Sequence, residues 1–311
     1  ASGLHDVVLA VGVEKTWMPD DPAKSFALFQ GGIDQLHRDE WMDFFNQAGE
    51  RTNQGFAPDP RRIVFLDIHA LQARDHMARY GTTTRQLALV AAKNRANALH
   101  NEKAQFRHET SVEDILADVP IVAPLTRSMC APLSDGAAAV VLCSETFLKA
   151  KPSRRDRGVR IRACDLAGGR YRALDEQTVV NLAAQRAYEQ AGLGSTHIDI
   201  AEVHDATTFC ELLHYESLGF CETGQSGPYL DSGATLPTGE RPVNLSGGLI
   251  SQGHPLGATG LGMINELVTQ LRGEAGPRQA ANSPTVALAQ NAGGLIGFDE
   301  ALCGVTILTR D

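Results

Sequence analysis

Apolar positions fall into two kinds of run along this chain. Val7-Val-Leu-Ala-Val-Gly-Val13 is continuous and β-branched, which predicts a buried strand over residues 5–13. From residue 16 to about 129 the pattern is irregular, yet apolar residues recur at helical spacing over 63–80 and 83–99. Gly81 is suited to close the first of these helices, and Thr82 to Thr84 can cap the second. Residues 136–142 predict another strand, and the basic, polar, Pro-containing stretch 149–158 reads as a solvated linker. Strand and helix then alternate. Strands are expected over 159–166, 198–203, 285–289 and 304–308, the last two as neighbours. Helices are expected over 176–191, 207–218 and 255–272, the first two stopped by Gly192 and Gly219. Such alternation predicts a layered α/β architecture.

Composition narrows the function classes. A chain of 311 residues with 43% hydrophobic and 21% charged content is globular, with room for one large or two ordinary domains. A net charge of −9 argues against general binding to nucleic acid or anionic membranes. No apolar run reaches the roughly 20 residues that a spanning helix needs. The first residues carry Asp6 and no basic stretch, unlike a secretory signal. Six cysteines lie scattered without metal-binding spacing. They predict free thiols, no metal and a reducing, cytoplasmic setting.

Candidate chemistry concentrates in Asn244-Leu-Ser-Gly-Gly-Leu-Ile-Ser-Gln-Gly-His-Pro-Leu-Gly-Ala-Thr-Gly260, where five of seventeen residues are Gly. Glycines let a backbone approach a ligand closely, and Pro255 suits the start of a helix. His254 then sits on a crowded turn, placed to move a proton or donate to an oxyanion. A structural His on a Gly-rich turn is the alternative. His204-Asp205 follows a predicted strand and precedes a predicted helix, where α/β sheets place ligands. Helix capping by His204, with Asp205 favoured by the helix dipole, is the alternative there. Asn291-Ala-Gly-Gly294 reads as a Gly turn between strands, either a plain connection or one whose amides at Gly293 and Gly294 form an oxyanion hole.

The segment from Ser246 to Gly260 closely resembles the Gly-His-Pro block of the thiolase superfamily, above all the branch related to sterol carrier protein X, the lipid-transfer-protein thiolases. The resemblance covers nearly the whole chain. Residues 1–15 resemble the family's strand that follows the nucleophile helix, with Ala1 to Gly3 as that helix's end. Residues 124–142 resemble the segment leading into the last strand of its first half. Glu202-Val-His-Asp-Ala-Thr-Thr-Phe209 and Leu288-Ala-Gln-Asn-Ala-Gly-Gly-Leu-Ile-Gly297 fit its other two active-site blocks. This implies an α-β-α-β-α layered fold of two similar halves. Residues 1–150 would hold the remainder of the N-terminal half, with an inserted loop region at about 16–129, and residues 151–311 the C-terminal half. The first half is then incomplete. Its early strands and the helix bearing the nucleophilic Cys would precede Ala1, on the order of 80 residues, about half a typical domain. A sheet edge and a core face would be left uncovered.

The resemblance also implies roles. His254 matches the histidine that activates the nucleophilic Cys and orients the thioester. His204 matches a donor to an enolate or oxyanion, with Gly253, Gly293 and Gly294 as backbone elements of the site. From the residues themselves, Asp205, Cys210 and Tyr215 are candidate supporting residues: Cys210 against its ordinary reading as a buried helix thiol, and Tyr215, with Tyr229, as a proton carrier against its ordinary reading as a packed side chain. Asn291 stands where degradative and biosynthetic thiolases carry an acid/base Cys, and Ala206 where the sterol-carrier branch carries one. Cys210 lies about one helical turn from Ala206. The implied activity is acyl transfer of the acetyl-CoA acetyltransferase type in lipid or sterol side-chain metabolism. Coenzyme A enters as part of the substrate, with no bound cofactor. Two alternatives stay open: retro-aldol cleavage of a β-hydroxyacyl-CoA with a zinc-ribbon and OB-fold partner protein, and a non-catalytic lipid or acyl-CoA carrier or scaffold. Arg79, Arg85, Lys93 and Arg95 are candidate contacts for the coenzyme A phosphates, against their ordinary reading as surface charges. A homodimer is the family expectation.

Overall fold

One long helix lies between two sheets and presses its first turn against the smaller of them. The computed structural model describes residues 3–34, 38–52, 55–59, 61–151 and 156–310. Before the linker the elements are β1 (Val7–Glu14), α1 (Pro22–Gln30), α2 (Arg38–Arg51), α3 (Val64–Tyr80), α4 (Thr84–Ala98) and α5 (Val112–Ala117). They continue with the short pair β2 (Pro120–Val122) and β3 (Leu125–Thr126), then β4 (Gly136–Cys143) and α6 (Glu145–Lys149). After it come β5 (Arg160–Gly168), α7 (Val179–Ala191), β6 (Ile200–Glu202), α8 (Thr208–Ser217) and α9 (Ser226–Asp231). The chain ends with α10 (Gly248–Gln252), α11 (Leu256–Leu271), β7 (Val286–Ile296) and β8 (Asp299–Thr309). The linker stretch 149–158 lies partly outside the described residues, as do Ala1 and Ser2.

The larger sheet has the order β5-β8-β7-β6. β6 runs parallel to β7 and the other pairs are antiparallel. A parallel bridge from Ala201 to Val243 marks a fifth strand position beside β6. α7 packs on β5 and β8, while α11 packs on β7 and on the β1–β4 pair. This is the layered α/β arrangement expected of the second half. α11 is fixed by burial of Met263, Leu267 and Leu271 against Ile200, Leu249 and Ala287, each large side chain contributing about 1.5–3 kcal/mol.

Local signals explain the helices. Thr83 and Gln86 form a reciprocal capping box at the start of α4, and Gly81 closes α3 in the left-handed conformation. The region read as irregular also contains α1, capped by Asp21. It contains α2 as well, whose Trp41, Phe45 and Ala48 form an aromatic cluster with Phe56 and Phe298.

Two expectations change. β1 is a strand, paired with β4 from Val7 opposite Cys143 to Glu14 opposite Gly136, but it is not buried. Leu9 is 62% exposed, Val11 59% and Val13 66%. Among the described residues β1 has one strand partner and one helix against it, which leaves its remaining apolar surface uncovered. Residues 291–294 are not a turn. They lie inside β7, where Gly293 pairs with Leu302 and Leu295 with Glu300 in an unbroken register that sets Gly294 opposite Ala301. The connection to β8 falls at Gly297.

Candidate active site

His204 leaves the carboxyl end of β6. Its flanking backbone is pinned twice: Val203 N–H donates to Asn244 Oδ1 at 2.8 Å, and His204 N–H to Gln290 Oε1 at 2.9 Å. His254 sits between Gly253 and Pro255, and its N–H donates to Ser134 Oγ at 3.2 Å. Pro255 itself caps α11, so the helix begins one residue later than expected. Gly253 is required twice over. Its φ is +107°, and a Cβ there would stand 2.5 Å from Ser134 Oγ. Close approach also explains Gly12: a Cβ on that β1 residue would lie 2.0 Å from the Gly257 carbonyl oxygen, so it lets the first turn of α11 rest on the ribbon.

The two imidazoles meet edge to face, with ring centroids 4.9 Å apart, on the wall of a cavity of about 660 Å³. Hydrogen bonding sets their protonation. Ala292 N–H donates to His204 Nδ1 at 3.1 Å, so a neutral His204 carries its proton on Nε2. Thr259 Oγ1 donates to the Pro255 carbonyl at 3.0 Å and therefore accepts from His254 Nδ1–H at 2.8 Å. His254 thus keeps its lone pair on Nε2. Burial, with lesser contributions from His214 and His69, pushes the His204 pKa down to about 3. Burial, followed by the charge of His204, holds His254 well below its ordinary value. Both rings are neutral at pH 7.

Asn291 lies on the same wall, its amide beside His204 and its Oδ1 buried without a hydrogen-bond partner. Gly293 and Gly294 line the cavity from β7, as does Cys210 from α8. Cys210 Sγ lies 3.3 Å from Thr207 Oγ1 and 3.5 Å from His69 Nδ1, and burial pushes its thiol up to about 12. Three cavity groups escaped the sequence reading: His69, His214 and Glu300. Single histidines on helix faces and an acid on a strand carry no motif. The one available signal is that Cys210 and His214 are four residues apart and so share a face of α8.

Other expected site residues lie elsewhere. Tyr215 is fully buried, donates to Glu211 and meets Tyr229 edge-on, away from the cavity. Tyr229 accepts from Arg241 at 2.9 Å. Asp205 is also fully buried. Its Oδ1 accepts from Leu249 N–H at 2.6 Å and its Oδ2 from Asn94 Nδ2 at 2.8 Å, tying the turn after β6 to α10. Burial, then the neighbouring Glu211, raises the Asp205 carboxyl well above the usual range. Gly253 lines a second cavity of about 550 Å³ on another side of α11. Its N–H donates to the Leu249 carbonyl at 3.0 Å, which removes it as an oxyanion donor.

The four basic residues do not converge on either cavity. Lys93 is buried against Glu211 at 2.7 Å, and Arg95 stacks 4.1 Å from the Phe106 ring centroid. Arg79 pairs with Asp75 and Asp175, and Arg85 with Glu113. Among the described residues, no group of three or more His, Cys, Asp or Glu side chains is placed to hold a metal ion. No helix among them is long and apolar enough to cross a membrane.

Comparison with known proteins finds relatives over nearly the whole chain. Residues 170–304 match the family described as Thiolase C-terminal domain-like. An acetyl-CoA acetyltransferase of Methanothermobacter thermautotrophicus is 38% identical over 302 residues, covering 96% of this chain and 72% of that protein. Sterol carrier protein 2 of Oryctolagus cuniculus is 40% identical over 300 residues, covering 94% of this chain and 52% of that protein. The chain thus spans about half the length of that relative. Among solved structures, the "Ltp2-ChsH2(DUF35) aldolase" superposes with a TM-score of 0.75 at 23% identity, covering all of this chain and 74% of that one. The fold, the placement of the His254 turn and these relatives lead to one assignment: the chain belongs to the thiolase superfamily, in the branch of the sterol carrier protein thiolases.

Proposed function

We propose that this protein forms and holds the enolate of an acyl-CoA thioester between His254 and His204. The observation that carries this reading is their complementary protonation on one cavity: a lone pair on His254 Nε2 and a proton on His204 Nε2. His254 takes the proton from the α-carbon. His204 donates to the thioester oxygen as negative charge develops there. Burial disfavours the cation of both rings, so the tautomers separate the roles: His204 presents a proton on Nε2 and His254 a lone pair. Asn291 stands beside His204 to orient it or the thioester. Gly293 and Gly294 keep the cavity floor low, so that a flat thioester can lie against β7. Coenzyme A belongs to the substrate, and a homodimer remains part of this reading.

Enolate chemistry serves both acyl transfer and aldol cleavage. The relationship to an acetyl-CoA acetyltransferase supports acyl transfer, which also needs a thiol nucleophile. Cys210 does not supply one, since its thiol stays protonated at neutral pH. Retro-aldol cleavage is the second reading: it needs no nucleophilic thiol, and an aldolase shares this fold. A base removes the β-hydroxyl proton, the Cα–Cβ bond breaks, its electron pair enters the thioester as enolate, and the enolate is reprotonated. The products are a carbonyl compound and a shorter acyl-CoA, and a partner subunit of the zinc-ribbon and OB-fold type belongs to this reading.

The test uses acetoacetyl-CoA and a β-hydroxyacyl-CoA, each with and without free CoA. Cleavage of acetoacetyl-CoA that needs free CoA and vanishes in His254→Ala supports acyl transfer. Carbonyl release from the hydroxyacyl thioester without free CoA supports aldol cleavage. Turnover of neither substrate favours a carrier or scaffold role, and turnover undiminished in His254→Ala overturns the site.

A further inference from the structure

Beyond the His pair, the cavity carries polar groups that enolate chemistry does not use. Residues 300, 302, 304 and 306 alternate along β8 and line one face of the sheet. Glu300 sits opposite Leu295, and Asn291 opposite Gly304. Asn291 and Leu295 are four residues apart on β7, about 13 Å of strand. Glu300 therefore marks a second polar point further along the sheet from the His204 wall, with His214 between them. Its side chain is 17% exposed and lines the cavity. His214 stands behind it, with Nε2 3.9 Å from Glu300 Oε1, too long for a hydrogen bond. His214 is 1% exposed, and its ring lies against the His204 backbone without a well-formed hydrogen bond. His69 completes the group from α3. The surrounding walls are apolar, formed by Phe29, Phe65, Leu66 and Leu302.

A plain alkyl chain filling this end would dry Glu300 and leave its carboxyl no partner beyond its own backbone amide, which is costly for a buried polar group. A hydroxyl can both donate and accept. Burial, followed by the neighbouring Asp299, pushes the Glu300 carboxyl up to about 7, so it too can accept or donate near neutrality. We propose that the Glu300 end of the cavity is a subsite for a hydroxyl group carried on the acyl chain, and that hydroxylated acyl thioesters are the preferred ligands. Glu300 makes the contact. This rests on the acyl-thioester reading above.

Calorimetric titration of the full chain with decanoyl-CoA and with its mono-hydroxylated analogues, the hydroxyl moved along the chain, tests it. In the wild type one hydroxylated isomer binds about tenfold more tightly than decanoyl-CoA, the worth of one good buried hydrogen bond. Glu300→Leu abolishes that preference and leaves decanoyl-CoA binding as tight or tighter, which also shows that the variant is folded. Glu300→Gln, which keeps a donor and an acceptor, restores part of it. Equal binding of all isomers by the wild type, or a preference that survives Glu300→Leu, overturns the subsite while leaving the thioester reading intact. A wild type that binds none of the thioesters overturns both.

Discussion

The two ends of the cavity are built in different ways. At the His254 end each ring nitrogen that does not face the cavity is tied down: His204 Nδ1 by the Ala292 amide, and His254 Nδ1 by Thr259, itself bonded to the Pro255 carbonyl. At the Glu300 end, His214 makes no well-formed hydrogen bond, resting against the His204 backbone and 3.9 Å from the carboxyl it faces. A reaction that depends on which nitrogen holds a proton needs the first kind of construction. Recognition of one polar group on a variable chain tolerates the second.

Substitutions at the first end should cost the most. His254→Ala is expected to lower kcat/KM about 10²- to 10⁴-fold, the usual range for removing a positioned general base. His204→Ala should cost about 10²- to 10³-fold, falling on kcat, because its hydrogen bond strengthens only as charge develops. Steady-state kinetics on any turned-over thioester checks both. Losses of similar size from Glu300→Leu on an unhydroxylated substrate would erase the distinction between the two ends.

Gly253→Ala acts on the scaffold of the first end. The added Cβ meets Ser134 Oγ at 2.5 Å on a backbone at φ +107°. Destabilisation of about 1–3 kcal/mol is expected, read as a lower urea midpoint at unchanged slope. An unchanged midpoint would mean the turn yields readily and does not fix His254.

The smallest effect is a pH dependence that separates buried carboxyls from buried histidines. Glu202 is pushed up to about 8, mainly by burial and then by Glu266, and Glu300 to about 7. A raised carboxyl binds its proton more tightly in the folded chain. Its contribution is full below the ordinary value and is lost as pH rises through the folded value. His69, His204 and His214 are depressed, chiefly by burial, to about 4, 3 and 3. They act in the opposite sense, because the unfolded chain takes up protons below about 6.5. Above that pH only the carboxyls still titrate. Urea midpoints should therefore decline from pH 6.5 towards 8, with Glu300 contributing up to about pH 7 and Glu202 up to about pH 8. Glu202→Gln and Glu300→Gln should each flatten the decline, and a decline unaltered by both would contradict the assignment.

The sequence was most legible where a local pattern has one physical meaning. The Gly-His-Pro block announced its crowded turn because glycines at 253 and 257 are needed there for contact with Ser134 and the β1 ribbon. Thr83 and Gly81 marked the ends of α4 and α3 as expected. The reading failed where one pattern has two meanings. Gly293-Gly294 read as a turn, but glycine also serves inside a strand where a neighbour comes close: a Cβ on Gly294 would stand 2.9 Å from the Ala301 Cβ, and β7 runs on to Ile296. The apolar run of β1 signalled a strand but not its burial, since burial depends on what covers it. Asp205 and Tyr215 sit close in sequence to His204 and Cys210, yet face a separate buried network around Glu211. His69 and Glu300 reach the cavity from elements 231 residues apart, and periodicity along the chain cannot report such a meeting.

The most direct measurement is exchange of the α-hydrogens of acyl-CoA in heavy water, followed by NMR or mass. Exchange requires only that an enolate form and be reprotonated, and it needs neither a nucleophilic thiol nor a second substrate. The account predicts exchange by the wild type that is abolished in His254→Ala and strongly slowed in His204→Ala. Acyl-CoA that binds without exchanging, or exchange that persists in His254→Ala, would contradict the claim that these two histidines make and hold an enolate.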